Sequence, residues 1–376
     1  MKVLVLGCGQ IGSVIARDFA KSIDAAEVVV ADKSPERARA AASSMGGAAW
    51  TTVDGADYTS LLGAFKGFDL VIGALPGDYG YRALRAGVEV GVDMVDVSFS
   101  PENPLALDEE AKKSGITIIP DCGVAPGLSN MLVGHAASRL DIVENAHIMV
   151  GGIPERPVPP LGYTVTWSAE GLIDEYIRGA FIVENGRIVE VPALSGLEEM
   201  EFPGVGKLEA FYTDGLRTLL HTFPKVKSMW EKTLRYPGHV QKIALLKELG
   251  FFGEEPMEVE GAKIHPRIAT ARMLERSLRK PEVGDILAMM IEADGYKRGK
   301  KAEFKYHLLD RFDKKGGVTA MARTTAYTAS IVAQKLANGF IRDKGIIPPE
   351  KLGMDEAFFN SVISELNARG VKVSLA

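Results

Sequence analysis

Cysteine is scarce in this chain: only Cys8 and Cys122 occur among 376 residues, far apart and with no zinc-type spacing. That excludes a disulfide framework and a thiolate metal site, and a reduced, cytoplasmic setting is expected. Nothing else in the sequence points to a metal. Long apolar runs are missing as well. No stretch approaches the roughly 18 consecutive apolar residues of a membrane span, and the run Val3 to Leu6 is too short for a secretory leader. The chain has no excess of either charge, because a net charge of −5 is spread over intermixed acidic and basic residues. Nucleic acid and membrane surfaces are therefore not expected as main partners. There is no internal repeat and no low-complexity tract. What is present is 46% hydrophobic residues, enough for cores without a staple, on a chain longer than one typical domain, so two domains are expected.

The organising stretch is the first thirty-odd residues. Val3 to Leu6 reads as a strand buried on both faces. It stops at Gly7-Cys8-Gly9-Gln10-Ile11-Gly12, the G-x-G-x-x-G spacing. There Gly7 makes the tight turn, Gly9 admits a pyrophosphate to the backbone, and Gly12 lets the following helix pack closely. Gln10 and Ile11 open that helix, whose N-terminus faces the anion. The spacing alone also fits a turn that binds nothing, but its context is specific. Ile11, Val14, Ile15 and Phe19 give the helix one apolar face, and Glu27 to Ala31 gives a second strand ending at Asp32, twenty residues past Gly12. A carboxylate there meets the ribose hydroxyls and repels a 2′-phosphate, so the expected cofactor is NAD rather than NADP. Lys33 weakens the preference without reversing it.

Strand and helix then alternate. Ser34-Pro35-Glu36 starts a helix, and a third strand near 48–53 ends at Asp54, a candidate for the adenine or a plain loop carboxylate. A fourth strand runs through Asp69 to Gly73, and Leu75 and Pro76 after it are expected to line the cofactor site. Two more strands, Asp93 to Ser98 and Thr117 to Gly123, complete a doubly wound Rossmann sheet, with Ser98, Asp121 and Cys122 on the edge that carries the glycine turn. Beyond Val124 the pattern changes to antiparallel pairing. Phe181 to Val183 and Ile188 to Val191 flank Asn185-Gly186, a primed-turn hairpin signal, and a second hairpin joins Ile286 to Glu292 with Ala302 to Leu308 through Gly295 to Gly299. Helices at 216–220, 240–249 and 268–278 are expected to cover one face of a mixed sheet. The expected division is a nucleotide domain over 1–124 completed by a helix near 319–345, an α+β substrate or dimerisation domain over 125–318, and a C-terminal segment over 346–376.

Four blocks carry a resemblance: Asp121 to Asn130, Thr166 to Gly171, Thr233 to His239 and Ala322 to Tyr327. With these the chain resembles the saccharopine dehydrogenase-like oxidoreductases, and within that family it is most similar to the NAD-dependent lysine 6-dehydrogenases. The resemblance implies oxidation of L-lysine at the ε-carbon to an imine, whose hydrolysis gives allysine and then Δ1-piperideine-6-carboxylate. It also implies that the final long helix returns to the nucleotide domain and that the second domain forms a homodimer. Relatives acting on saccharopine or carboxynorspermidine make a secondary-amine dehydrogenase the alternative. A catalytically silent NAD-binding sensor is the alternative of another class.

Oxidising a C–N bond by hydride transfer needs an unprotonated amine, a base, and the reacting carbon held over the nicotinamide. Asp96 or Asp121 is expected to steady the iminium charge, with a structural cap as the bland reading of each. Ser98 is expected to bond the cofactor, and Cys122 to pack near the ring. Arg235 is the candidate for the substrate carboxylate, beside Tyr236 and His239, the latter an acid or base near neutrality. A surface salt bridge is the alternative for Arg235. Trp167 would wall the substrate's methylenes or lie in the core, and Ser168 would bond its polar end. Arg323 and Thr324 begin the return helix, where they could meet cofactor or substrate.

Overall fold

The computed structural model describes residues 1–23, 26–165, 168–280 and 282–375. Strand β1 (Lys2–Leu6) is buried from Val3 onward, as an uninterrupted Val/Leu run requires once helices cover both sheet faces. Helix α1 (Gln10–Ser22) follows it and buries Val14, Ile15 and Phe19. The same unit repeats as β2 (Glu27–Asp32), α2 (Pro35–Ser43), β3 (Ala49–Thr52), α3 (Tyr58–Phe65), β4 (Leu70–Gly73), α4 (Gly77–Val90), β5 (Asp93–Asp96), α5 (Asp108–Lys113), β6 (Thr117–Ile119) and α6 (Leu128–Ser138). Local chemistry fixes the helix starts. Ser34 accepts from the Arg37 amide with Pro35 in the first turn, and Asp57 accepts from the Thr59 amide.

The second half begins with the long strand β7 (Ile142–Pro154), then α7 (Ala169–Ile177) and the hairpin β8 (Ala180–Glu184) to β9 (Arg187–Val191). Its turn has positive φ at Asn185 (50°) and Gly186 (74°), as the Asn-Gly pair predicts. Then follow β10 (Glu198–Phe202), β11 (Gly206–Tyr212), α8 (Leu219–Thr222), β12 (Ser228–Arg235), α9 (His239–Glu248), the small pair β13 (Met257–Val259) and β14 (Ala262–Ile264), α10 (Pro266–Leu278), β15 (Asp285–Lys297) and β16 (Lys300–Arg311). The β15–β16 turn is Arg298-Gly299. Gly295 instead lies inside β15 at a register shift, where a side chain would overlap the Ile142 carbonyl. Pairing is not uniformly antiparallel either, since β12 runs parallel to β7 with Ser228 opposite Asn145. The chain ends with α11 (Ala320–Ala337), β17 (Gly345–Ile346), α12 (Pro349–Met354), α13 (Glu356–Ala368) and β18 (Val373–Leu375).

Two compact units result. The first holds residues 1–139, 217–222 and 322–372, and the second holds 140–216, 223–321 and 373–376. The first is built on a parallel seven-stranded sheet of order β17-β6-β5-β4-β1-β2-β3. This is the Rossmann arrangement, extended at one edge by β17. The second contains a nine-stranded mixed sheet whose main path is β10-β11-β12-β7-β15-β16-β18. On one face Phe211 packs with Leu172, Ile173 and Tyr176 of α7, Val240 and Ile243 of α9, and Leu274 and Leu278 of α10. On the other, Leu208, Ala210 and Leu234 pack with Met149 and Ile286.

The units depart from the expected boundaries in three places. α6 stays with the first unit, where a side chain at Gly134 of α6 or Gly353 of α12 would overlap the backbone of the other helix. The C-terminal residues from Ile346 to Lys372 also belong there, because β17 adds to β6 and the Ile346 amide donates to Asp108 Oδ1 at 2.8 Å. The short excursion 217–222 joins them. Glu350, fully buried, accepts from the Thr218 hydroxyl at 3.0 Å and the Thr222 hydroxyl at 2.7 Å.

Candidate functional site

In the first unit the candidate residues sit at the carboxyl edge of the parallel sheet, where ligands lie in this architecture. Gly7 has φ +99°, and a side chain there would overlap the Ala74 carbonyl; one at Gly12 would overlap the Gly7 carbonyl. A Cβ on Gly9 meets nothing within 4 Å, and Gly9 is the N-cap of α1 with no side chain capping it. An open backbone at an uncapped helix N-terminus fits a dinucleotide's pyrophosphate. Gln10 and Ile11 form the first turn of that helix.

Asp32 ends β2 with 7% exposure. Its Oδ2 accepts the Cys8 amide at 2.8 Å, while Oδ1 accepts the Ser34 amide at 2.8 Å and faces the Arg37 guanidinium at 3.0 Å. The carboxylate thus ties the glycine turn to α2. Arg37, half-exposed, is a cation at this edge that the sequence reading passed over, its signal being an arginine one turn into the helix after β2. Lys33 is exposed. Asp54 accepts from the Ala56 amide at 3.0 Å in a turn, Leu75 packs over Gly55, and Pro76 caps α4.

Asp96 at the end of β5 is 1% exposed and accepts from the Ser98 amide at 2.8 Å and its hydroxyl at 3.2 Å. Gly73 leaves the room for this carboxyl, since any side chain there would overlap it. Burial pushes Asp96 up to about 7, and the Asp121 charge adds to the rise. Asp121, with φ +51° and 2% exposure, follows β6 and pairs with Arg217 Nε at 3.2 Å. Arg217 also has positive φ (52°), donates to the Glu102 carbonyl at 3.1 Å and lies 5.3 Å from the Phe99 ring centroid. Cys122 is fully buried, donates its amide to the Asp96 carbonyl at 2.8 Å, and its thiol is pushed up by burial; burial likewise pushes Cys8 up to about 12. Neither is a ready thiolate. Arg323 donates to the Arg369 carbonyl at 3.2 Å, and Thr324 is buried.

The second unit gathers Arg235, Tyr236 and His239 differently from the expectation. Arg235 is 3% exposed, and its Nη2 donates to both Glu175 oxygens at 2.9 Å; its guanidinium lies 4.7 Å from the Tyr163 ring centroid. The fork expected to meet a substrate carboxylate is thus held by a carboxylate of α7. His239 is buried, with Nδ1 2.9 Å from the Leu161 carbonyl and Nε2 2.8 Å from the Tyr176 hydroxyl. Donation from Nδ1 to that carbonyl leaves Nε2 as acceptor. Burial, aided by Arg235, pushes the imidazole down to about 3, so it stays neutral instead of titrating near pH 7. The Tyr236 hydroxyl donates to the Pro154 carbonyl at 2.9 Å. Ser168 caps α7 by accepting the Gly171 amide at 3.1 Å. Trp167 lies outside the described residues. Among the described residues no group of His, Cys, Asp and Glu is placed to hold a metal ion, and no helix is long and apolar enough to cross a membrane.

Comparison with known proteins identifies the family. Residues 3–119 match the saccharopine dehydrogenase NADP binding domain and residues 123–371 the saccharopine dehydrogenase C-terminal domain. The chain therefore belongs to the saccharopine dehydrogenase family, and its first unit carries a dinucleotide-binding domain. It is 25% identical over 267 residues to saccharopine dehydrogenase (NADP+, L-glutamate-forming) of Schizosaccharomyces pombe, covering 66% of this chain and 58% of the relative. It is 23% identical over 390 residues to the carboxyaminopropylagmatine dehydrogenase of Synechocystis sp., covering 94% and 93%. The chain thus spans a little under two thirds of the length of the fungal enzymes it matches. Apo saccharopine dehydrogenase (L-Glu forming) of Saccharomyces cerevisiae shares the fold at TM-score 0.80 and 20% identity, covering 100% of this chain and 99% of that one.

Proposed function

We propose that this chain is a nicotinamide-dinucleotide-dependent dehydrogenase that oxidises a CH–NH group of an amino-acid substrate, and that the group is the ε-carbon and amine of L-lysine. The observation that carries the reading is Asp96, a buried carboxyl at the sheet edge of a dinucleotide-binding unit, raised to about 7. A carboxyl in that range exchanges a proton with an ammonium at neutral pH, leaving the free amine that hydride loss requires. When bound, the dinucleotide supplies the hydride acceptor. The open backbone at Gly9 and the N-terminus of α1 receive its pyrophosphate. Asp121, paired with Arg217, is the second carboxylate proposed at this edge, its oxygens directed to the carbon–nitrogen bond as it gains iminium character. Water then adds to the imine carbon, and ammonia leaves to give the aldehyde.

NAD is the proposed cofactor, on the strength of Asp32 at the end of β2. NADP is the second reading, supported by the names of the fungal relatives and by Arg37 at 3.0 Å from Asp32, a cation that a 2′-phosphate could attract. A secondary amine of the saccharopine kind is the alternative substrate, supported by those same names. A homodimer, through the family resemblance, and a cytoplasmic setting, through the scarcity of cysteine, belong to this proposal, and sizing by light scattering tests the first. The deciding experiment follows absorbance of the reduced nicotinamide with purified protein, either dinucleotide, and L-lysine, L-ornithine, saccharopine or carboxynorspermidine. Turnover of lysine with NAD is the expected result. Turnover of a secondary amine alone would move the substrate, and silence with every amine despite cofactor binding would favour a sensor.

A further inference from the structure

At the carboxyl end of β2 a carboxylate and a guanidinium stand together where the adenine ribose of a dinucleotide lies in this architecture. Asp32 is almost fully buried and has two backbone donors, the Cys8 amide on Oδ2 and the Ser34 amide on Oδ1, each at 2.8 Å. Those two bonds tie the glycine turn to α2 without help from any side-chain donor. The start of α2 places Arg37. Ser34 caps that helix by accepting the Arg37 amide at 3.3 Å, with Pro35 in the first turn, so the arginine stands one turn from the strand end. Its Nε donates to Asp32 Oδ1 at 3.1 Å, and Nη2 lies 3.0 Å from the same oxygen. The guanidinium is thus held by one edge. Its Nη1 meets no protein acceptor among the described residues, and the side chain is half-exposed. The neighbouring charges are turned elsewhere: Arg39 lies 5.2 Å from the Trp50 ring centroid, and Glu36 accepts from the Ser34 hydroxyl at 2.7 Å.

A carboxylate alone at this position excludes a 2′-phosphate by charge repulsion. With a guanidinium on Oδ1 the charge of Asp32 is compensated, while Oδ2, bonded only to the Cys8 amide among the described residues, keeps a lone pair for a ribose hydroxyl. We infer that Arg37 is the specificity-determining residue of the dinucleotide site: it cancels the exclusion of a 2′-phosphate by Asp32 and donates to that phosphate from its free edge, so that the protein binds NADP as well as NAD. Arginine suits both tasks, because its planar fork serves an oxyanion on each edge and the point charge of a lysine does not. An ion pair with a half-exposed cation contributes little to folding, so the pairing acts on what the site admits. The inference rests on dinucleotide binding by the first unit and is independent of which amine is oxidised.

The test measures binding in place of turnover, by calorimetric titration of the full-length protein with oxidised NAD and with oxidised NADP in the absence of any amine. The two ligands differ only in the 2′-phosphate. Damage to the fold or to the glycine turn therefore weakens both alike, whereas loss of a phosphate ligand weakens one. The unaltered protein should bind NADP at most about tenfold more weakly than NAD, and added salt should weaken NADP binding the more. Arg37→Met should weaken NADP binding about 10- to 100-fold, as loss of a charge-assisted bond implies, and leave NAD within about threefold. Arg37→Lys, which keeps the charge without the fork, should fall between the two. If Arg37→Met does not fold, Arg37→Lys and the ratio in the unaltered protein still decide the matter. A gap in favour of NAD well above about tenfold in the unaltered protein, or equal effects on both ligands in Arg37→Met, overturns the inference and leaves the dinucleotide reading intact. Binding of neither dinucleotide overturns both.

Discussion

Replacing Arg217 by Met removes the cation beside Asp121 while keeping most of the side-chain volume. The two side chains are 7% and 2% exposed, and besides Asp121 the guanidinium serves the Glu102 carbonyl. Stranding one member of a buried pair costs about 3–5 kcal/mol, because the remaining charge keeps its desolvation penalty and loses its compensation. The penalty here belongs within that range, since the variant takes the guanidinium from Asp121, whose charge already raises Asp96. Urea unfolding at pH 7.5, read at the first transition by fluorescence and circular dichroism, should show that loss. The double variant Arg217→Met with Asp121→Asn has no stranded charge and should recover to within about 1–2 kcal/mol of the parent. The single variant's deficit should also shrink in acid, where a stranded carboxylate can take a proton. Equal losses in the single and double variants, or a single-variant loss below about 1 kcal/mol, would refute the claim that this pair is made and buried.

Asp96→Asn should abolish the limb of the kcat/KM profile near pH 7. It should also flatten stability against pH: the folded protein holds that proton up to about 7 against 3.8 for the ordinary group, so the contribution is full below pH 4 and is lost as pH rises to 7. The check is urea midpoints across that window with both proteins. Arg235→Met should destabilise by about 3–5 kcal/mol by stranding Glu175, and adding Glu175→Gln should restore most of the loss; a rise in KM with no loss of stability would instead return Arg235 to the substrate carboxylate. Asp32→Asn should move the kcat/KM ratio toward NADP by about 10-fold or more, as removing one charge beside a 2′-phosphate implies, measured by initial rates with each dinucleotide.

The parts legible in the sequence are those whose physics is local. Gly7, Gly9, Gly12 and Asp32 lie within one strand–helix–strand unit, where spacing alone dictates the turn, and Asn185-Gly186 specifies its hairpin because both residues accept positive φ. The alternation of Val-rich strands with helices gave the parallel sheet for the same reason. What was hidden depends on long-range pairing. Arg217 meets Asp121 across 96 positions, and nothing near Leu216 or Thr218 announces that a short excursion crosses into the first unit. The parallel pairing of β12 with β7 is equally silent, since either direction buries the same alternating side chains. Gly295 was read as a turn because glycine marks turns and bulges alike. The partners of Arg235 and His239 were not legible because Glu175, Tyr176 and the Leu161 carbonyl, which engage them, lie about 60 to 80 residues away.

The most direct test of the central claim uses L-lysine carrying deuterium at C6, with purified protein and the preferred oxidised dinucleotide. The account predicts reduced dinucleotide bearing one deuterium at C4 of the nicotinamide ring, seen by mass spectrometry, with the cyclised imine as the organic product. Reduced dinucleotide without deuterium, with label retained at C6 and a 2-oxo acid formed, would contradict oxidation at the ε-carbon.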